Sequence, residues 1–123
     1  MCPWAQAIQK QSKSRPDDDG TVFVQNAPES CQNDIPTQPA AELAQNAVTH
    51  NWVTASGAVM SAPWKDLSTI YVYCAQDQAI LQPLQQSFVQ EAVDASGSAP
   101  MATETNDSCH CPFLSRPDEV IGS

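Results

Sequence analysis

The run Ile70-Tyr-Val-Tyr-Cys74 constrains this chain more than any other feature. It is short, continuous and rich in β-branched and aromatic residues, the pattern of a strand covered on both faces in a parallel sheet. Cys74 reads as a small core residue within it. After a loop through Ala75 to Ala79, Leu81, Leu84, Phe88, Val89, Ala92 and Val93 recur at spacings of three and four, which predicts an amphipathic helix. Asp94 to Pro100 reads as loop, and Met101 to Thr105, alternating small and polar residues, as a second strand. A last helix is expected near Ser115, with that serine as its cap and Pro117 in its first turn. Strand, helix, strand, helix is an α/β pattern. Two strands make a poor sheet, so an edge is expected to be exposed. The segment reads as a piece of a larger fold or as a chain that must associate.

Upstream the texture differs. Residues 1–21 are polar, and Asp17-Asp-Asp-Gly20 reads as a solvated turn or tail with little order. Residues 22–66 are cut by Pro28, Pro36, Pro39 and Pro63 into short pieces. Within them Thr37 to Val48 reads as a helix. Thr37 suits the cap, Pro39 the first turn, and Ala40, Leu43, Ala44, Ala47 and Val48 form an apolar stripe. Trp52 and Trp64 add apolar area to a segment otherwise poor in it. Three parts are expected: a disordered tail (1–21), a helical segment (22–66) and an α/β portion (67–123).

Composition removes several functions. The 123 residues carry 14 acidic and 5 basic side chains, a net charge of −9. Nucleic acid and anionic membrane surfaces both require cationic patches, so neither is an expected partner. No apolar run approaches the roughly 18 residues that cross a bilayer. The start of the chain lacks the charged and apolar regions of a secretion signal, so the expected compartment is the cytoplasm. Five cysteines (Cys2, Cys31, Cys74, Cys109 and Cys111) are an odd number without such a signal and are expected to be free thiols.

Two residues stand where chemistry is done in α/β proteins. Asp77 follows the apolar strand, and His110 lies between the second strand and the last helix, 33 residues later. One helix and one strand fit between them, which in a parallel sheet brings both to the same edge. There a carboxylate can hold one ring nitrogen of a histidine while the other reaches a cleft. The plainer alternative has Asp77 capping the following helix and His110 on the surface. Cys109-His110-Cys111 invites a zinc reading, but alternating residues in an extended loop do not converge on one tetrahedral ion, and no second cluster completes it. His50 is assigned to the surface of the 22–66 segment, and Tyr71 and Tyr73 to the core.

The stretch Tyr71-x-Tyr-Cys-x-x-Asp77-x-Ala-Ile80, then Gln85 or Gln86 with Phe88-Val89, then Ser108-x-His110-x-Pro-Phe-Leu-Ser115-x-Pro117-x-Glu-Val120, resembles the C-terminal part of α/β-hydrolases. It is most similar to the fungal and bacterial branch related to plant methylesterases and hydroxynitrile lyases. Asn33-Asp34-Ile-Pro36 and the region of Trp52 and Trp64 resemble that branch's cap. The resemblance covers roughly residues 22–121 and is most specific around His110. It implies that Asp77 is the acid and His110 the base of a catalytic triad acting on a small-molecule ester, with no metal or organic cofactor.

The chain departs from that family in one respect that matters for activity. Its four glycines, Gly20, Gly57, Gly97 and Gly122, nowhere bracket a serine as Gly-x-Ser-x-Gly, the turn that exposes the family's nucleophile. A His-Gly-Gly-like oxyanion loop is absent as well. Ser56 and Ser96, each beside a glycine, read as ordinary turn residues. The resulting expectation is an incomplete α/β-hydrolase fold, cap helices plus a C-terminal strand-helix-strand-helix, in a chain inactive alone. The competing expectation is a non-catalytic interaction or regulatory fragment, or a truncated gene product, that self-associates through its exposed sheet edge.

Overall fold

In the computed structural model, residues 18–24, 26–95 and 99–122 are described, without the side chains of 55 and 56. In chain order the elements are β1 (Thr21–Val22), α1 (Ala27–Ser30), α2 (Thr37–Gln45), β2 (His50–Asn51), α3 (Val53–Ser56), a 3-10 turn (Pro63–Lys65), β3 (Thr69–Cys74), α4 (Gln82–Ala95), β4 (Met101–Asn106), α5 (Pro112–Ser115) and α6 (Pro117–Gly122). The expected tail lies outside the described residues as far as residue 17, and its last residues form the turn into β1.

The apolar run extends as β3 and pairs in parallel with β4, Thr69 opposite Met101 through Cys74 opposite Asn106. The crossover α4 packs against β3, with Gln85 and Val89 turned inward. One expectation is corrected here. β3 is not covered on both faces, since Ile70 is 52% exposed and every other residue of the strand is half-buried. Among the described residues β4 is the one strand beside it, and the side chains of β3 stay partly open to solvent. Cys74 is accordingly half-buried, and the cysteine enclosed in the interior is Cys109.

Upstream, β1 and β2 form a two-residue antiparallel pair that seats His50 opposite Val22. The helix expected over 37–48 stops at Gln45. The Asn46 side chain takes the Glu42 carbonyl (2.9 Å), and the Asn46 amide falls back on Leu43 (3.1 Å). An asparagine that competes for its own helix's carbonyls ends it. Val48 is left 81% exposed beyond that end. Thr37 is the first helical residue and Pro36 stands at the cap, with no side-chain cap bond.

The last helix also differs from expectation. Ser115 does not cap it but closes α5, a turn that starts at Pro112. Arg116, forced out of helical geometry by the proline that follows (φ −136°, ψ 51°), separates α5 from α6. Each of the two helices begins on a proline, whose fixed φ suits a first helical position.

The interior is small. Among the described residues Val22, Ala40, Val89 and Cys109 are the buried apolar ones, matched by four buried polar ones, Asp77, Gln85, Asn106 and Ser108. Gln85 sits on the inward stripe of α4. Its Oε1 accepts from the Cys74 amide (2.9 Å), and its Nε2 donates to the carbonyls of Cys74 (3.0 Å) and Ile80 (2.7 Å). In a parallel ladder the amide and carbonyl of one residue face the same neighbour. The next amide along, Ala75, bonds toward the β4 side, so Cys74 faces the open edge of β3, where the Gln85 side chain stands in for a strand. Gln85→Leu keeps the bulk and removes all three bonds, leaving half-buried backbone groups unpaired. Denaturant unfolding is expected to show a loss of about 2–4 kcal/mol, and a loss below about 1 kcal/mol would deny the side chain this structural role.

Candidate active site

The two strands that end at Cys74 and Asn106 do not separate at their tips. The Ala75 amide donates to the Asn106 carbonyl (2.9 Å) and the Gln76 amide to the Ser108 carbonyl (2.9 Å), so the loops leaving β3 and β4 stay joined beyond the ladder. The Gln76 side chain adds a bond to Asp107 (2.8 Å). This pairing carries Asp77 and His110 out on the same side of the sheet.

There they meet. His110 Nδ1 lies 2.8 Å from Asp77 Oδ2, with Asp77 4% exposed and the histidine side chain 39% exposed. The carboxylate's other oxygen is also committed, accepting from the amides of Ala79 (2.8 Å) and Ile80 (2.9 Å). Asp77 therefore fastens its own turn with Oδ1 and the histidine with Oδ2. The turn that Asp77 caps precedes α4 and is not the first turn of α4 itself. A carboxylate on Nδ1 places the proton there and leaves Nε2 with its lone pair. Among the described residues Nε2 has no partner, and half-exposure of the ring gives it access to solvent. The hydrogen bond and charge of Asp77 hold the His110 pKa above the ordinary 6.5, against the opposing effect of burial.

The histidine loop is anchored on the far side by a residue from the 22–66 segment. Asp34 Oδ2 accepts from the amide of Cys109 (2.9 Å). Burial works against the ionised form of Asp34, but bonds from Cys109 and the Ser115 hydroxyl outweigh it, and its pKa lies below the ordinary 3.8. Its neighbour Asn33 donates from Nδ2 to the Gln76 carbonyl (2.9 Å). The Cys109 sulfur turns inward and accepts from the Cys111 amide (3.3 Å). Burial, first, and the surrounding thiols and carboxylates push the Cys111 thiol up to about 11, and burial likewise raises Cys109. Both are thiols rather than thiolates at neutral pH and so poor nucleophiles.

The remaining residues singled out in the sequence lie apart. His50 is exposed on β2. Tyr71 and Tyr73 are half-buried on β3 with ring centroids 5.2 Å apart. Ser56 ends α3 without a described side chain, and Ser96 lies outside the described residues. Sequence reasoning assigned no site role to Asn33, Asp34 or Gln85, although it quoted all three within the family resemblance.

Because the folded His110 pKa is raised, its bond to Asp77 stabilises the fold fully below pH 6.5 and loses that contribution as pH rises through the folded value. The difference in unfolding free energy between the native chain and His110→Gln is expected to be largest at acid pH and to shrink across this window. A difference that stays flat would mean the pair is not coupled.

The structure is similar to the crystal structure of polyneuridine aldehyde esterase, an α/β-hydrolase, with a TM-score of 0.65 at 13% sequence identity. The match covers 89% of this chain and 44% of that one, so the chain spans less than half the length of the esterase. No family model matches the sequence, and no curated protein matches it. Among the described residues no helix is long and apolar enough to cross a membrane. The described residues adopt part of the α/β-hydrolase fold, with an acid–histidine pair at its strand tips.

Proposed function

We propose that this chain carries the acid and base of a serine-dependent carboxylic ester hydrolase, in the lineage of the methylesterases and hydroxynitrile lyases. Residues 22–66 serve as its cap-like segment and 67–123 as the C-terminal portion of its core. The observation that carries this reading is the 2.8 Å contact of Asp77 Oδ2 with His110 Nδ1, joined to the fold likeness with an esterase.

In that chemistry Nε2 of His110 takes the proton from a serine hydroxyl as its oxygen attacks the ester carbonyl. The imidazolium, steadied by Asp77, then gives that proton to the departing alcohol. Water repeats the cycle on the acyl-serine and releases the acid. The 123 residues contain no Gly-x-Ser-x-Gly turn, the element that presents the serine in this chemistry. Each missing oxyanion donor removes a further ~3–4 kcal/mol of transition-state stabilisation. The chain by itself is therefore proposed to be inactive toward esters. A fluorophosphonate probe is expected to leave it unlabelled. Stoichiometric labelling at any of its serines would place the nucleophile within these residues and overturn this reading.

A second reading, association of two copies of the chain, is favoured by the open edge of β3. By the alternation of the ladder, Ile70 and Val72 face that edge as Cys74 does. Ile70 (52%) and nearby Leu67 (61%) in the sequence are well exposed, which is the kind of edge that accepts another strand. Sedimentation is expected to show a dimer that Val72→Pro, which removes an edge donor, converts to monomer. A native chain that stays monomeric at high concentration would sink this reading.

A further inference from the structure

Both loops that carry the acid–histidine pair are tied to one place outside the sheet. That place is the dipeptide Asn33–Asp34, in the turn between α1 and α2. Asn33 holds the carbonyl of Gln76, the residue before Asp77, across 43 positions of sequence. Asp34 holds the amide of Cys109, the residue before His110, across 75 positions. Each bond grips the backbone one residue upstream of the side chain it would aim. Two adjacent residues of a third segment thus span the two loops.

We propose that Asn33 and Asp34 are positioning residues that set the approach of Asp77 to His110, a role that rests on the acid–histidine reading above. The zipper from β3 to β4 fixes the loops to each other through Ala75 and Gln76, but its last bond is at Ser108, two residues short of the histidine. Beyond that point the loop has to turn the ring back over Asp77. The Asp34 bond falls in this interval. Its acceptor is ionised, which makes the bond short and strong, and its donor belongs to a residue with no solvent exposure, so water does not replace it. Asn33 works on the other loop and is exposed, which makes it the weaker arm. Asp34 acts through geometry rather than through its charge, since the charged group acting on His110 is Asp77.

The test is a proton NMR titration of the His110 and His50 ring signals in the whole 123-residue chain. The native chain is expected to show His110 raised above the ordinary imidazole value, and absence of that elevation would sink the acid–histidine reading itself. In Asp34→Ala, His110 is expected to fall back toward the ordinary value. Asp34→Asn, which loses the charge but keeps an oxygen acceptor, is expected to preserve the elevation. Asn33→Ala is expected to shift His110 in the same direction as Asp34→Ala, by less. A folded Asp34→Ala chain whose His110 titrates as in the native chain would overturn the clamp. An Asp34→Asn chain that loses the elevation as fully as Asp34→Ala would overturn it too, by showing charge to be the cause. If Asp34→Ala fails to fold, Asn33→Ala decides, and an unmoved His110 there counts against the proposal.

Discussion

The parallel ladder between β3 and β4 is the interaction on which everything else in this molecule depends. It is six residue pairs long and forms only after the α4 crossover has brought two distant segments side by side. Parallel strands require such a crossover, and their bonds slant evenly along the pair, so both chains leave the sheet in the same direction and at the same level. The two amide bonds beyond the last pair, at Ala75 and Gln76, extend that coincidence into the loops. A carboxylate and an imidazole 33 residues apart thereby come within a hydrogen bond of each other.

Burial follows the same logic. The apolar interior is minor, and the most enclosed polar groups, Asp77, Gln85, Asn106 and Ser108, all belong to the strand tips or to the helix residue that braces them. Removing a polar group from water is unfavourable unless it is hydrogen-bonded. Asp77 and Gln85 meet that condition with every side-chain polar atom engaged. Asn106, which ends β4, reaches Glu119 of α6 (2.8 Å) and so joins the last helix to the same region. Among the described residues, burial of polar groups is concentrated near the acid and the histidine rather than in a conventional hydrophobic centre.

Much of this was legible in the residues. The apolar run of β3, the three-and-four spacing of α4 and the position of Asp77 and His110 at element boundaries are local patterns, and local patterns survive in sequence. The exposed face of β3 was misread because an apolar strand looks the same whether or not a neighbour covers it. The early end of α2 turned on one asparagine side chain competing for a carbonyl, a contest that periodicity does not register. Asn33 and Asp34 act on backbone groups 43 and 75 positions away, and their partners, a carbonyl and an amide respectively, carry no side-chain signature. Gln85 was hidden for the same reason, since its partners are backbone atoms and a polar residue on an apolar stripe reads as noise.

The Gln85 amide has a consequence for how the sheet can grow. A strand laid along the free margin of β3 would find main-chain groups to pair with at Ile70 and Val72, but at Cys74 those groups are already occupied from within the chain. A strand added there meets Gln85 at Cys74, so pairing at that level requires the glutamine to give up its bonds to the backbone.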